Sequence, residues 1–329
     1  MDIFLGVDGG GTKTEALACD RDGMILGRGA AGPSNPIFTK KDRAFANIFK
    51  AAGLALRDIE KSGSFTCRAA ICVPGAKKFK GELEMRSKSF CEQAHIDSDE
   101  RSSFLGALAE PYGIVVSSGT GSFAMGVNRA GDSCELGGWG PVLGDEGSGY
   151  HIGVLCLRAV IGEYEGFGPG TLLTPKIKEF LMLDDINELK RTAYSKDFDR
   201  SRMGSLSRLV HACALEGDAV SLAIIARAAH ALADLALRTA SRLKMDDGVY
   251  NAVLTGGVSR CGELMEKPFS EAVSEKNPRI RVKRPEFTPA VGSLLAAMLE
   301  SGLDAFDCGI LSNLRASGGR FYKEWTEGS

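Results

Sequence analysis

The sequence predicts an α/β protein of two similar halves with a cleft between them, and two patterns carry this prediction. Apolar, strand-like runs alternate with helical patterns along the 329 residues. Each half also opens with strands around a glycine-rich turn that is too short to hold a crossover helix, so these strands pair antiparallel. With 44% hydrophobic and 25% charged side chains, the composition is that of an ordinary folded protein.

The first half begins with three predicted strands, at residues 2–8, 13–19 and 24–29. An Asp-Gly pair between the second and third strands indicates a hairpin. The pattern continues with a helix at 40–61, a buried strand at 68–73, a mixed and mainly helical segment at 79–94 and a short helix at 100–109. We place the first domain at residues 1–112.

The second half repeats the opening, because strand 112–118 ends in a Gly-Thr-Gly turn and strands 122–128 and 133–136 follow. Helical patterns then cover 147–162, 172–182, 203–216 and 218–244. The half closes with strand 249–255, helix 260–275, strand 279–283 and helix 289–300. We place the second domain at residues 113–302.

Charge and cysteine usage exclude several classes of protein. Forty basic and 42 acidic side chains leave a net charge of −2, which argues against a nucleic-acid or anionic-membrane partner. No apolar run looks long enough to cross a bilayer, and the N-terminus lacks the basic region of a secretory signal. The nine cysteines form no C-x-x-C pair and suit buried thiols in a reducing compartment. We therefore expect a cytoplasmic protein.

The 41 glycines gather at a few turns, and the first of these is the segment DGGGTKT at residues 8–14. It is neither a Walker A loop nor a dinucleotide fingerprint, because no helix follows it. The N–H groups of a hairpin tip can surround an anion. Asp8 would hold a metal ion through water, and Thr12 and Lys13 would approach phosphate. An ordinary tight turn explains the pattern equally well.

Two further glycine turns follow the same logic. Gly119, Thr120 and Gly121 form a second hairpin tip, which could clamp a polyphosphate opposite the first. Gly256 and Gly257 lie at a strand-to-helix junction, where a flat ring can rest on the backbone and a helix N-terminus favours phosphate. Each turn taken alone is also compatible with a routine connection.

Taken in this order, the three turns resemble the phosphate-1, phosphate-2 and adenosine motifs of the sugar kinase–Hsp70–actin superfamily. Within it, the chain is similar to the BadF/BadG/BcrA/BcrD ATPases and eukaryotic-type N-acetylglucosamine kinases. The similar segments are DGGGTKT (8–14), GPSN (32–35), GTGS (119–122), GGWG (137–140) and GDEGS (144–148).

The resemblance implies two ribonuclease H-like (actin-like ATPase) domains with a nucleotide and sugar cleft between them. It implies that the tail at 303–329 packs back on the first domain. The ATP-binding residues that it implies are Gly10, Gly11, Thr12, Lys13, Gly119, Thr120, Gly121, Gly256, Gly257 and Ser259, with Asp8 positioning Mg²⁺.

A sugar site is the second implication of the resemblance. Its residues would be Asn35, Asp99, Gly137, Gly138, Trp139 and Asp145. An indole beside a carboxylate suits a ring with CH faces and hydroxyl edges. A core position for Trp139 and a helix N-cap role for Asp145 are the alternative interpretations.

The resemblance also implies a catalytic base, an Asp that lies before the Gly-Thr-Gly turn and usually follows Asn. Asp99 stands at this position, but Ser98 replaces the Asn and Asp97 is a neighbouring rival. A carboxylate can accept the hydroxyl proton while metal and backbone donors stabilise the transferring phosphoryl group. N-capping of the following helix is the alternative role for Asp99.

The function expected from the resemblance is transfer of the γ-phosphoryl group of Mg-ATP to the 6-hydroxyl of an amino sugar, N-acetylglucosamine first. Glucosamine, N-acetylmuramic acid and glucose are alternative acceptors. A second class is an ATPase that activates a dehydratase or reductase through a cysteine-bound iron–sulfur cluster, but the turn at 117–126 contains no cysteine. A non-catalytic sugar sensor is the third class. The resemblance also suggests a homodimer.

Overall fold

The computed structural model describes residues 1–36 and 39–320, and its strands form two sheets. Five strands form the first sheet: β1 (Asp2–Gly9), β2 (Thr14–Asp20), β3 (Ile25–Ala31), β4 (Thr66–Cys72) and β5 (Gln93–Asp97). Five more form the second: β6 (Gly113–Ser118), β7 (Ser122–Val127), β8 (Ser133–Gly137), β9 (Tyr250–Thr255) and β10 (Ile280–Lys283).

Helices connect and cover these strands. They are α1 (Lys41–Glu60), α2 (Lys80–Ser87), α3 (Asp99–Leu108), α4 (Gly149–Tyr164), α5 (Leu173–Leu181), α6 (Leu189–Ala193), α7 (Arg200–Ser205), α8 (Ser207–Leu215), α9 (Ala219–Arg242), α10 (Glu263–Lys276), α11 (Pro289–Glu300) and α12 (Cys308–Gly318). The predicted alternation of strands and helices is confirmed in both halves.

The chain divides into two compact units. Unit 1 comprises Met1–Pro111 and the described part of Pro285–Ser329, and unit 2 comprises Tyr112–Arg284. In unit 1 the strand order is β3-β2-β1-β4-β5; β1, β2 and β3 pair antiparallel, whereas β4 and β5 run parallel to β1. In unit 2 the order is β10-β9-β6-β7-β8, again with three antiparallel strands and two parallel ones. The two units therefore share one sheet topology.

Strand β5 corrects the helical prediction for residues 79–94. Helix α2 ends at Ser87, and β5 begins at Gln93 as the edge strand that pairs in parallel with β4. Its sequence, QAHID, contains only one β-branched apolar residue. An edge strand needs little apolar sequence, because one side has no strand neighbour and the pairing to β4 is long-range.

Helix α11 packs in unit 1 against β1 and α3, whereas the sequence prediction assigned residues up to 302 to the second domain. The contact is very close, because a Cβ on Gly292 would overlap the carbonyl oxygen of Ser102 and lie 2.6 Å from the Gly106 nitrogen. Such backbone-to-backbone contact leaves no periodic signal in the sequence.

The first part of the tail, residues 303–320, also packs in unit 1. Helix α12 contacts β3, the Asn313 amide donates a hydrogen bond to the Asp22 carbonyl at 2.9 Å, and the Ile25 N–H donates to Ser317 Oγ at 2.9 Å. Residues 321–329, the remainder of the predicted tail, lie outside the described residues.

The sequence predicts no apolar segment long enough to cross a bilayer, but helix α9 is one by length and composition. Within residues 1–36 and 39–320, it is the helix that is long and apolar enough to cross a membrane. Half of its apolar window is buried inside the protein, where Ile225, Leu232 and Ala236 belong to the core of unit 2. The helix packs on α8, α10 and the second sheet, as a core helix does.

Candidate functional site

The carboxyl ends of three parallel strands bring three acidic residues to one edge of unit 1. Asp8 on β1 pairs in register with Cys72 on β4, and Cys72 pairs with Asp97 on β5. Asp99 follows two residues later as the first residue of α3. Ligands of open α/β sheets bind outside the carboxyl ends of the strands. The sheet therefore places the predicted metal residue and the predicted base at the edge suited to a site.

Ser102 links Asp8 to the start of α3. Its buried Oγ lies 2.8 Å from Asp8 Oδ1 and 3.0 Å from the Asp99 carbonyl oxygen. Burial raises the pKa of Asp8 to about 7; the Ser102 hydroxyl opposes this rise, and the charges of Asp99 and Glu15 add to it. Sequence reasoning missed Ser102, because only the long-range packing of α3 against β1 brings it to Asp8.

Asp99 and Asp97 have different environments. Burial would raise the pKa of Asp97, but hydrogen bonds from His95, Lys77 and the Ser98 N–H hold it below its usual range. Lys77 Nζ lies 2.7 Å from Asp97 Oδ1, and Arg101 lies 3.4 Å from Oδ2.

Burial and the neighbouring charge of Glu100 raise the pKa of Asp99 to about 6, although its own backbone N–H opposes the rise. The N-cap of α3 is Ser98 and not Asp99. A carboxyl group with this pKa is suited to accept a proton near neutral pH.

The first glycine turn lies between β1 and β2 and contacts the GPSN segment. Gly10 accepts hydrogen bonds from the N–H groups of Ser34 at 3.0 Å and Asn35 at 3.1 Å. Gly11, Thr12 and Lys13 are exposed, and Lys13 Nζ forms an ion pair with Glu15 at 2.9 Å. The structure therefore brings the predicted phosphate-1 residues and the buried Asn35 together in unit 1.

In unit 2 the second and third glycine turns are neighbours because of Gly256. Its φ of +94° favours glycine, and an added Cβ would lie 3.0 Å from the Ser118 nitrogen at the end of β6. The contact places Gly119 and Thr120 beside Gly257. These residues line a cavity of about 520 Å³, which we call the first cavity.

Other residues that line the first cavity were missed by sequence reasoning. They are Gly149, Ser201, Gly204, Ser205, Ser207, Arg208, His211, Val258, Arg260 and Cys261. Positions 201, 204, 205, 208 and 211 recur at helical spacing and form one face of α7 and α8, composed of small, polar and basic residues. This helical spacing was the signal in the sequence that could have indicated these cavity residues. The predicted Ser259 does not line the cavity, and its hydroxyl instead donates to the Gly256 carbonyl at 2.8 Å.

A second cavity, of about 770 Å³, lies against the GGWG and GDEGS segments. Its lining includes Ser122, Gly137, Trp139, Asp145 and Arg238. Gly138 does not line it, but its N–H donates to the Ser122 carbonyl at 2.9 Å and so ties the GGWG segment to the second glycine turn. Trp139 is 74% exposed, which excludes a core role.

Asp145 is a buried acid held against the second glycine turn. It has a φ of +62°, its Oδ1 accepts from the Ser122 N–H at 3.3 Å, and its Oδ2 forms an ion pair with Arg200. The N-cap of α4 is Ser148, whose Oγ accepts from the His151 N–H at 3.2 Å, so Asp145 is not that cap. Unit 2 therefore brings together Gly137, Trp139, Asp145 and the second glycine turn.

The residues at the edge of unit 1 fit a magnesium ion held largely by other ligands. Mg²⁺ usually binds to one or two carboxylates together with water and substrate phosphates. Asp8 supplies a carboxylate near Asp99. Among the residues that the structure describes, no group of three or more His, Cys, Asp or Glu side chains could hold a metal ion.

Comparisons with known proteins agree along most of the chain. The profile of the BadF/BadG/BcrA/BcrD ATPase family matches residues 5–297. The N-acetyl-D-glucosamine kinase of Dictyostelium discoideum is 32% identical over 313 residues, which cover 90% of this chain and 98% of that protein. The N-acetylmuramic acid/N-acetylglucosamine kinase of Clostridium acetobutylicum is 28% identical over 307 residues. These residues cover 91% of this chain and 99% of that protein.

A solved structure shows the fold. The crystal structure of a Chromobacterium violaceum protein, provisionally described as an N-acetylglucosamine kinase, superposes with a TM-score of 0.66 at 22% identity. The match covers 90% of this chain and 98% of that one. The predicted α/β fold with two actin-like ATPase domains is confirmed.

Proposed function

The chain belongs to the BadF/BadG/BcrA/BcrD ATPase family, and from this premise we propose that it is an ATP-dependent amino-sugar kinase. The reaction transfers the γ-phosphoryl group of ATP to the 6-hydroxyl of N-acetylglucosamine. The full-length similarity to the Dictyostelium N-acetyl-D-glucosamine kinase is the observation that carries the proposal. The two cavities of unit 2 and the acidic edge of unit 1 are its structural support.

Asp99 is the proposed base. Its pKa of about 6 leaves it ionised at neutral pH, and it accepts the proton that the sugar hydroxyl loses as its oxygen bonds to phosphorus. Asp97 acts as a positioning residue, because its ion pairs with Lys77 and Arg101 fix the connection between β5 and α3.

The proposed nucleotide ligands are the residues of the glycine turns, and the first cavity is the proposed ATP site of unit 2. The sugar ligands proposed are Asn35, Asp99, Gly137, Gly138, Trp139 and Asp145. Asp8 would hold Mg²⁺, which when bound neutralises phosphate charge. We also propose a cytoplasmic location. We propose a homodimer as well, and light scattering on the purified protein tests it.

The pH dependence of the reaction tests Asp99. A protonated carboxyl cannot accept the hydroxyl proton, so kcat/KM is expected to fall about tenfold per pH unit below about 6 and to level off above it. The profile is measured at saturating Mg²⁺, which keeps Asp8 ionised. Circular dichroism at each pH is the control for unfolding. A flat profile from pH 5 to 8 would contradict the assignment.

The location of ATP is tested at Gly257. Its φ of −65° is open to any residue, and nothing lies within 4 Å of an added Cβ, so a side chain there would occupy the first cavity. We expect Gly257→Leu to raise the Kd for ATP and ADP about tenfold, or about 1.4 kcal/mol, without lowering the melting temperature. The matched control is Gly81→Leu on α2, which also meets no atom within 4 Å. Unchanged nucleotide binding in Gly257→Leu would place ATP elsewhere.

ADP release from Mg-ATP with a panel of sugars tests the proposed function. The panel contains N-acetylglucosamine, N-acetylmuramic acid, glucosamine, N-acetylmannosamine and glucose. Strong stimulation by one amino sugar supports the kinase and names the acceptor. Slow turnover that no sugar changes, together with iron in anaerobically purified protein, would favour the activator class instead.

A further inference from the structure

Arg200 contacts or neighbours residues of both cavities of unit 2, although it lines neither itself. Its neighbour Ser201 lines the first cavity, and its guanidinium pairs with Asp145, which lines the second. A Cβ on Gly121 would lie 2.6 Å from Arg200 Nη2 and 2.8 Å from Asp145 Oδ2. The guanidinium therefore stands directly against the second glycine turn, whose residues Gly119 and Ser122 line one cavity each.

The ion pair between Arg200 and Asp145 is strongly asymmetric. The Asp145 side chain is 2% exposed, whereas that of Arg200 is 48% exposed. In the part of the chain that the structure describes, Asp145 is the ion-pair partner of Arg200. A guanidinium has five N–H donors in a planar fork that matches phosphate oxygens. Asp145 holds one side of this fork in place, and the solvent-facing side can bind an anion.

Charge gives a second reason for an arginine at this point. The buried carboxylate of Asp145 lies beside a turn to which we assign the phosphates of ATP, and alone it would repel them. Arg200 cancels that charge. Its guanidinium stands at Gly121, and the neighbouring residues Gly119 and Ser122 line the cavity assigned to the nucleotide and the cavity assigned to the sugar, respectively.

We propose that Arg200 binds the γ-phosphoryl group of ATP and stabilises it during transfer, with Asp145 as the residue that positions it. The inference rests on the proposed function. In the step, the sugar 6-hydroxyl oxygen bonds to the γ-phosphorus, and the bond from that phosphorus to the β,γ-bridging oxygen breaks. The electron pair of the broken bond leaves on ADP, and the hydroxyl proton goes to Asp99. Arg200 donates N–H groups to the γ-phosphoryl oxygens and exchanges no proton.

The test compares Arg200→Ala with Arg202→Ala. Arg202 lies on the same helix with its guanidinium 5.7 Å from the Phe198 ring centroid, whereas the guanidinium of Arg200 pairs with Asp145. For Arg200→Ala we expect kcat to fall about 10²–10³-fold, as on loss of one oxyanion donor. The Kd for ATP should rise about tenfold, with that for ADP unchanged. Arg202→Ala should match the wild type.

Two further variants separate contact from structure. Arg200→Lys keeps the charge but loses the planar fork, so it should bind ADP as the wild type does without recovering the wild-type preference for ATP over ADP. Guanidinium ion should partly restore kcat in Arg200→Ala. If Arg200→Ala unfolds because Asp145 is left unpaired, the double variant Arg200→Ala/Asp145→Asn removes both charges and is tested in its place.

Some outcomes would overturn the inference. Wild-type kcat and wild-type preference for ATP over ADP in Arg200→Ala would do so, and so would a rise in the sugar KM alone. If the wild type shows no sugar-dependent turnover, the proposed function fails. The ATP-over-ADP preference then still decides the role of Arg200, because a contact to the γ-phosphate is lost or kept regardless of the acceptor.

Discussion

Asp99→Asn is expected to lower kcat for sugar phosphorylation by about 10²–10⁴-fold. The substitution keeps the size of the side chain at the start of α3 and removes its ability to accept a proton. ATP and sugar Kd values should stay within about twofold of the wild type, because the amide still donates and accepts hydrogen bonds. Single-turnover kinetics with separate binding measurements checks this result.

Asp97→Asn is the matched control for Asp99→Asn. Asp97 is ion-paired to Lys77 and hydrogen-bonded by the Ser98 N–H at 2.7 Å, so its replacement should lower the melting temperature. It should lower kcat less than Asp99→Asn does. The Asp97 variant thus tests a structural role, and the Asp99 variant tests proton acceptance. If Asp97→Asn abolished turnover in folded protein while Asp99→Asn kept it, the base would be Asp97.

Gly292→Ala is expected to destabilise unit 1 by about 3 kcal/mol, although alanine normally stabilises a helix interior. The added Cβ would overlap the Ser102 carbonyl oxygen and lie 2.6 Å from the Gly106 nitrogen, so α3 and α11 must separate. Because α3 begins at Asp99, kcat should fall as well. Thermal unfolding and sugar-stimulated ADP release together measure the effect.

Gly53→Ala is the control for Gly292→Ala. Gly53 lies within α1 and nothing lies within 4 Å of an added Cβ, so this substitution should stabilise by about 0.5–1 kcal/mol. Opposite signs for the two glycine-to-alanine changes are the expected result. An equal rise in melting temperature for both would mean that the close crossing of α3 and α11 does not exist in solution.

The residues that could be predicted are those whose signal is local. The turns after Asp8 and Ser118 were readable because glycines interrupt strand patterns, and both hairpins are present. Resemblance to a family then led to the prediction that these turns bind the phosphates of ATP. Trp139 was also readable as a pocket residue, because glycines flank it on both sides.

The features that sequence reasoning missed depend on long-range packing. Arg200 meets Asp145 across 55 positions, and Ser102 meets Asp8 across 94. Helix α11 belongs to unit 1 through backbone contacts at Gly292, which no hydrophobic period records. Strand β5 has too few apolar residues to stand out from a helix. Its partner β4 also lies more than twenty positions earlier, so the pairing leaves no local signal. Only the fold itself supplies these pairings.

The most direct test of the central claim is identification of the product formed from N-acetylglucosamine and Mg-ATP. Phosphorus–proton correlation by NMR, with ADP quantified in the same sample, measures both the position and the yield of the sugar phosphate. We predict one 6-phosphate formed for each ADP released. ADP without sugar phosphate, or turnover that is the same with and without sugar, would contradict the assignment of a sugar kinase.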